Sequence, residues 1–214
     1  MVDKTNLRRL VGAVASDINV TQKVEIPVRT ARHVRPCVQV RPILDAFPSP
    51  TSLTALRDAD VIVGCVDGWD GRDDLDRFAL AHRIPYVDIG AVITPPTGHL
   101  PLRVSGQIVV VVPGDGPCLR CLRLVTDERV AKSRRQRQRY LDGTGEPQVV
   151  SINGTLASEA VTAVLALAAG TGGLIPYRRY RFPPGLLTEV TTDRLSPCPA
   201  CVEAGLDLLT GGWA

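Results

Sequence analysis

Asp60-Val-Ile-Val-Gly-Cys-Val-Asp67, running on into Gly68-Trp-Asp-Gly-Arg72, sets the architecture of this chain. The run is apolar, of strand length, rich in valine and isoleucine, and it closes on an acid and a glycine. Residues 72–82 then predict a helix with Leu75, Phe78 and Ala79 on its inner side, and Pro85 opens a second strand over 86–92. Strand, helix and strand in that order predict a parallel βαβ unit with a right-handed crossover.

Outward from this unit the same alternation continues. Residues 107–112 predict a third buried strand, closed by Pro113-Gly-Asp-Gly-Pro117. Upstream, Val20, Val24, Val28 and Ala31 fall at helical spacing, with Thr21 as N-cap and Pro27 set to kink or delay the helix. Val38-Gln-Val-Arg41 is a short strand candidate and 53–57 a helical turn. Downstream, Asn153 is expected to cap an Ala-rich helix ending near Gly170, and 177–182 and 186–191 predict an antiparallel hairpin around Pro183-Pro-Gly185. The expected fold is α/β: a Rossmann-like, doubly wound sheet over residues 1–170, with a C-terminal hairpin and a four-cysteine site over 171–214.

Composition agrees with a globular α/β chain and narrows its roles. The 214 residues suffice for one domain or a domain and a half, and aromatics are only 4%, which leaves the core to Val, Leu, Ile and Ala. A net charge of +3 does not call for a polyanionic partner. The charged start Met1-Val-Asp-Lys-Thr-Asn-Leu-Arg-Arg9 does not read as a secretory leader, and the most apolar stretch, 156–169, contains Glu159 and is shorter than the about 20 residues a bilayer needs. A cytoplasmic protein with no membrane partner is expected.

Cys118-Leu-Arg-Cys121 and Cys198-Pro-Ala-Cys201 are paired CxxC knuckles beside turn-forming residues. Two such pairs complete a tetrahedral four-sulfur site, predicting structural Zn²⁺ held by Cys118, Cys121, Cys198 and Cys201; a redox CxxC is the alternative. Cys37 and Cys65 read as core thiols. In an open α/β sheet ligands bind beyond the carboxyl ends of strands, so Asp67 is placed either to hold Mg²⁺ against nucleotide phosphates or to serve as a turn aspartate; Asp70 is the better N-cap. Arg8, Arg9 and Lys23 are cations suited to phosphate, or ordinary surface charges. His33, His82 and His99 pair with no nucleophile and read as structural or exposed. Gly170-Thr-Gly-Gly173 follows a helix, not a strand, and is no phosphate loop. The basic segment 127–140 reads as a solvated crossover loop, without the interleaved aromatics of a nucleic-acid surface, so no nucleic-acid partner is expected.

Taken in order, Asn6-Leu-Arg-Arg9, Gln22-Lys-Val-Glu25, Cys65-Val-Asp-Gly-Trp-Asp-Gly-Arg72, Gly106-Gln-Ile-Val109, Pro117-Cys-Leu-Arg-Cys121 and Cys198-Pro-Ala-Cys201 resemble the ThiF/MoeB/HesA family of ubiquitin-activating-enzyme-like adenylyltransferases. The resemblance implies ATP·Mg²⁺-dependent adenylylation of the C-terminal carboxylate of a ubiquitin-like sulfur-carrier protein or peptide, by a homodimer. It places Asp67 at the Mg²⁺-binding aspartate, Arg9 and Lys23 at the phosphate-contacting positions, Thr5, Asn6, Leu7 and Arg8 along the nucleotide, and Gly68 where the family has asparagine. Asp76 also stands where an asparagine is common. The family's first strand, glycine-rich turn and ribose-binding acid precede the Asn-Leu-x-Arg segment, with which this sequence opens, so Met1 is expected not to be the original start. The absent glycine turn leaves a rival reading, a non-catalytic zinc-stabilised binding module; a nicotinamide-dependent dehydrogenase would need the same turn and leaves the knuckles unexplained. With no cysteine between Cys121 and Cys198, activation is expected to stop at the adenylate.

Overall fold

A computed structural model describes residues 1–7, 10–94, 96–97, 102–140, 150–191 and 198–204. The chain divides into two compact units, Met1–Ala55 and Leu56–Ala214.

In the N-terminal unit, Val2 forms a parallel bridge with Ile18, and helix α1 spans Glu25–Val34. Pro27 sits in its first turn, where a missing N–H costs no helical bond, so the helix starts at Glu25 and Thr21 does not cap it. The 38–41 segment is not a strand. Its alternation of Val and polar residues finds no partner strand to reward it. Helix α2 spans Pro50–Arg57, longer than the expected single turn.

The larger unit is built on β1 (Ile62–Gly64), α3 (Trp69–His82), β2 (Tyr86–Thr94), β3 (Arg103–Val111), α4 (Asp127–Tyr140), α5 (Val150–Ala169), β4 (Tyr177–Phe182), β5 (Leu186–Glu189) and α6 (Pro199–Glu203). The five strands form one sheet in the order β1-β2-β3-β4-β5. β1 and β2 run parallel across α3, the βαβ unit the sequence predicts. Every later pair is antiparallel, so the sheet is mixed, and the hairpin β4–β5 extends it beyond β3. Tyr177 pairs with Val109 and Phe182 with Val104 in that extension.

α5 covers one side of this sheet. Ile152, Leu156, Ala160 and Ala163 pack against Val87, Val104, Ile108 and Val110. Leu156 closes directly over Gly106, where an added Cβ would come within 2.8 Å of its side chain. The helix begins before Asn153, which lies inside it and not at its cap. Its 20 residues reach the length and apolarity that could span a bilayer, although the 156–169 stretch alone falls short.

Two further expectations are corrected. Residues 127–140 form helix α4, not a loop. Among its described side chains Val130 and Ser133 are buried, with little of an apolar stripe between them; Asp127 and Glu128 in the first turn favour the dipole, and Arg, Lys, Gln and Ala are good helix formers. Cys37 and Cys65 are exposed, not core thiols. The strand before Cys65 ends at Gly64, so the thiol lies beyond the sheet's buried rows.

Candidate functional site

β1 contributes only three residues to the sheet, and the chain then turns through Cys65-Val-Asp67 into α3. Gly68 is the N-cap, in extended conformation. Asp67 therefore stands beyond the carboxyl end of a parallel strand and at the positive end of a 14-residue helix. Its side chain is exposed and makes no hydrogen bond or ion pair among the described residues.

The residue after it is glycine for a steric reason. A Cβ on Gly68 would lie 2.4 Å from Asp70 Oδ1 and 2.9 Å from Ser133 Oγ. Those two groups are bonded to each other, Ser133 donating to Asp70 at 2.7 Å. Asp70 is thus a buried clasp between α3 and α4, not the predicted N-cap. Arg129 of α4 strengthens the clasp, its guanidinium 5.0 Å from the Trp69 ring centroid.

Beneath this turn lies a buried polar network that the sequence does not reveal. Arg72 forms an ion pair with Asp88 of β2 and donates to the Ile89 carbonyl at 3.2 Å. Tyr86 and Gln107 donate to the same carboxylate, each at 2.9 Å. Burial, then the Asp88 charge, pushes the Tyr86 hydroxyl well above its ordinary pKa. Gly90 leaves the room for Arg72: a Cβ there would come 2.0 Å from its guanidinium nitrogen. The network fixes Arg72, and through it the first turns of α3, against the sheet.

Beside the middle turns of α3 the four predicted cysteines meet. Their Sγ atoms all lie within 4.8 Å of one another. Cys118 is 3.3 Å from Cys198, Cys121 3.8 Å from Cys201, and Cys198 3.7 Å from Cys201, and all four are free thiols. A tetrahedral Zn–S₄ centre with bonds near 2.3 Å has sulfur–sulfur edges of ~3.8 Å, so the donor set and spacing fit such an ion. Each knuckle is preformed. The Cys121 amide donates to Cys118 Sγ at 3.4 Å, and Cys198 is the N-cap of α6, with Pro199 opening the helix. Contacts with Cys118 first, then Cys121 and Cys201, hold the Cys198 thiol far below its ordinary pKa, while contacts within the same cluster push Cys118 up.

α3 supports this cluster with two acids. Arg120 bonds Asp73 through Nε at 2.7 Å and Nη2 at 2.9 Å, and the Leu119 amide donates to Asp76 Oδ2 at 3.2 Å. Asp76 is fully buried, and its Oδ1 has no partner among the described residues. Burial, above all, holds its carboxyl well above the ordinary carboxylate range.

The remaining predicted residues belong to the N-terminal unit. Lys23 is exposed. Thr5 donates from both its hydroxyl (2.6 Å) and its amide (2.7 Å) to Asp3, and Asn6 is buried with its amide side chain on the same carboxylate. The Thr5 hydroxyl, above all, holds Asp3 below its ordinary pKa. Leu7 is half-buried, and Arg8 and Arg9 lie outside the described residues. Asp67 and Gly68 are thus brought together with Asp70, Arg72 and Ser133, and the four cysteines with one another. His82, exposed, bonds the Phe78 carbonyl at 2.9 Å, and His33 is exposed; His99 lies outside the described residues.

A profile of the ThiF family matches residues 1–197. The chain belongs to the ThiF family. Its fold is shared with MccB of E. coli at 16% identity: TM-scores are 0.70 for MccB with ATP, 0.72 for MccB with MccA-N7isoASN and 0.71 for MccB with AMPCPP and MccA. Each alignment covers 94% of this chain but only 56–57% of MccB, so this ThiF-family chain spans a little over half the length of that relative. No curated protein matches it in sequence.

Proposed function

We propose that this chain carries out the adenylylation step of a ThiF-type enzyme, activating the C-terminal carboxylate of a peptide or of a ubiquitin-like sulfur-carrier protein. In that reaction a carboxylate oxygen forms a bond to the α-phosphorus of ATP, the bond from that phosphorus to the bridging oxygen breaks, and pyrophosphate leaves. Carboxylate and triphosphate repel each other, so the site must supply positive charge.

Support comes first from Asp67: an exposed carboxylate with no bonded partner among the described residues, at a strand end and helix N-terminus, in a chain of this family. Such an oxygen ligand suits Mg²⁺, which when bound neutralises phosphate charge. Arg9 and Lys23 are assigned to the phosphates, and Thr5, Asn6, Leu7, Arg8 and Gly68 to the nucleotide's surroundings, by motif position. That MccB is seen with ATP and with MccA supports the same reading. The four cysteines hold Zn²⁺ with no open position, in a structural role; four close free thiols suit a reducing compartment such as the cytoplasm. A homodimer completes the reading by family resemblance.

One observation favours the rival, a docking module that does not use ATP: the polar atoms of Thr5 and Asn6 are already bonded to Asp3. ATP–pyrophosphate exchange with added carrier proteins separates the two. Adenylylation predicts carrier-dependent exchange that Asp67→Ala lowers by about 10²–10³-fold, the usual scale for losing one charge-stabilising group. No exchange, with no heat of ATP binding, supports the module.

A further inference from the structure

The two faces of the sheet are chemically unlike. Alternate side chains of a strand point to opposite sides, and Val87, Ile89, Ala91 and Ile93, with Val104, Ile108 and Val110, lie under α5 together with Tyr180 and Leu187. Their alternates share the other face. There α3 packs against β1 and β2, and Val92, Arg103, Ser105, Arg181 and Thr188 are exposed.

Pairing register lines this open face with arginines. Gly90 pairs with Gln107, Gln107 with Arg179, and Arg179 with Thr188. In the next row Val92 pairs with Ser105 and Ser105 with Arg181; then Thr94 pairs with Arg103. The first row starts beneath the Arg72 guanidinium, which sits over Gly90. With strands ~4.8 Å apart, the Arg179 row lies about 10 Å from β2.

Among the described residues no ion pair engages Arg103, Arg179 or Arg181; Arg179 donates only to the Tyr177 hydroxyl, at 2.6 and 3.2 Å. The acid of this face, Asp88, is already taken by Arg72, Tyr86 and Gln107.

We propose that this arginine-lined face docks an extended acidic peptide segment, the Asp- and Glu-bearing stretch upstream of the carboxylate to be activated, with Arg103 and Arg181 setting the preference for acidic tails. The assignment of that segment to a substrate rests on the adenylylation reading. Charge complementarity selects the occupant: guanidinium forks match carboxylates in pairs, and three of them on an open pleated face fit an extended chain. A single-stranded nucleic acid would need exposed rings to stack on, and the strand tyrosines of this face, Tyr86 and Tyr177, are buried.

The test is fluorescence polarisation, without ATP, of two labelled peptides ending in Gly-Gly: one with four Asp or Glu residues before the glycines, the other with Asn or Gln in their place. The acidic peptide should bind about tenfold tighter at low salt, with the gap closing as salt rises. The Arg103→Glu/Arg181→Glu double variant, in which both altered side chains are exposed and, among the described residues, unpaired, should erase the preference at unchanged melting temperature. Equal binding of the two peptides, a preference that survives the double variant, or tighter binding of an oligothymidylate than of the acidic peptide overturns the proposal. Exchange activity with the neutral peptide but no acidic preference sinks this proposal alone. Acidic preference without exchange upholds the docking face and sinks the adenylylation reading alone.

Discussion

The two ends of α3 are built on opposite plans. From Asp73 onward, acids and sulfurs are turned inward and engaged: Asp73 on Arg120, Asp76 on the Leu119 amide, four thiols on one another. At its N-terminus the buried groups Asp70 and Arg72 hold the turn in place, while Asp67 alone is left exposed. The same helix thus carries a closed end that stabilises and an open end that can bind. Closed polar clusters are costly to break, whereas an exposed carboxylate with no partner can be removed almost without structural cost.

Variants grade this contrast. The largest effect is expected from metal removal or Cys118→Ser: structural zinc sites of small domains contribute about 10–16 kcal/mol of apparent binding energy, so α6 should detach from α3 and the melting transition broaden or vanish. Zinc content near one ion per chain, falling with the variant, checks it by atomic absorption. Asp88→Ala comes next. It leaves Arg72 buried without its counter-charge, at a cost of about 3–5 kcal/mol in chemical denaturation. Gly68→Ala forces a Cβ between Asp70 and Ser133, an overpacking cost of about 1–3 kcal/mol, and adding Ser133→Ala should return part of it.

The smallest effect concerns Asp76 and has a sign fixed by pH. Its folded pKa lies above the unfolded value, so above the ordinary carboxylate range the unfolded chain loses a proton that the folded chain keeps. Its presence therefore lowers stability as pH rises from the unfolded toward the folded pKa. Asp76→Asn keeps an acceptor for the Leu119 amide and removes that loss. It should melt higher than the parent at pH 8, with the difference shrinking towards pH 4.

The closed end was legible in sequence and the open end only half so. CxxC spacing declares a four-sulfur site because knuckle geometry is local, and the apolar run 60–67 with its helix declares the βαβ unit. The Arg72–Asp88 pair was hidden, since its partners lie 16 residues apart on different elements and a charged residue at a strand's third position reads as exposed. α4 was missed because polar clasps to α3, and not an apolar stripe, hold it. The antiparallel turn of β3 was missed because hydrophobic runs give strand positions without directions.

Asp67→Asn, followed by calorimetric titration of ATP with and without Mg²⁺ alongside thermal melting of the same sample, tests the contrast between the two ends most directly. The expected result is Mg²⁺-dependent ATP binding in the parent chain, its loss in the variant, and melting curves that superimpose. Undiminished Mg²⁺-dependent binding in the variant, or a melting temperature that falls as it does for a cysteine variant, would contradict the assignment of residue 67 to the open, ligand-holding end.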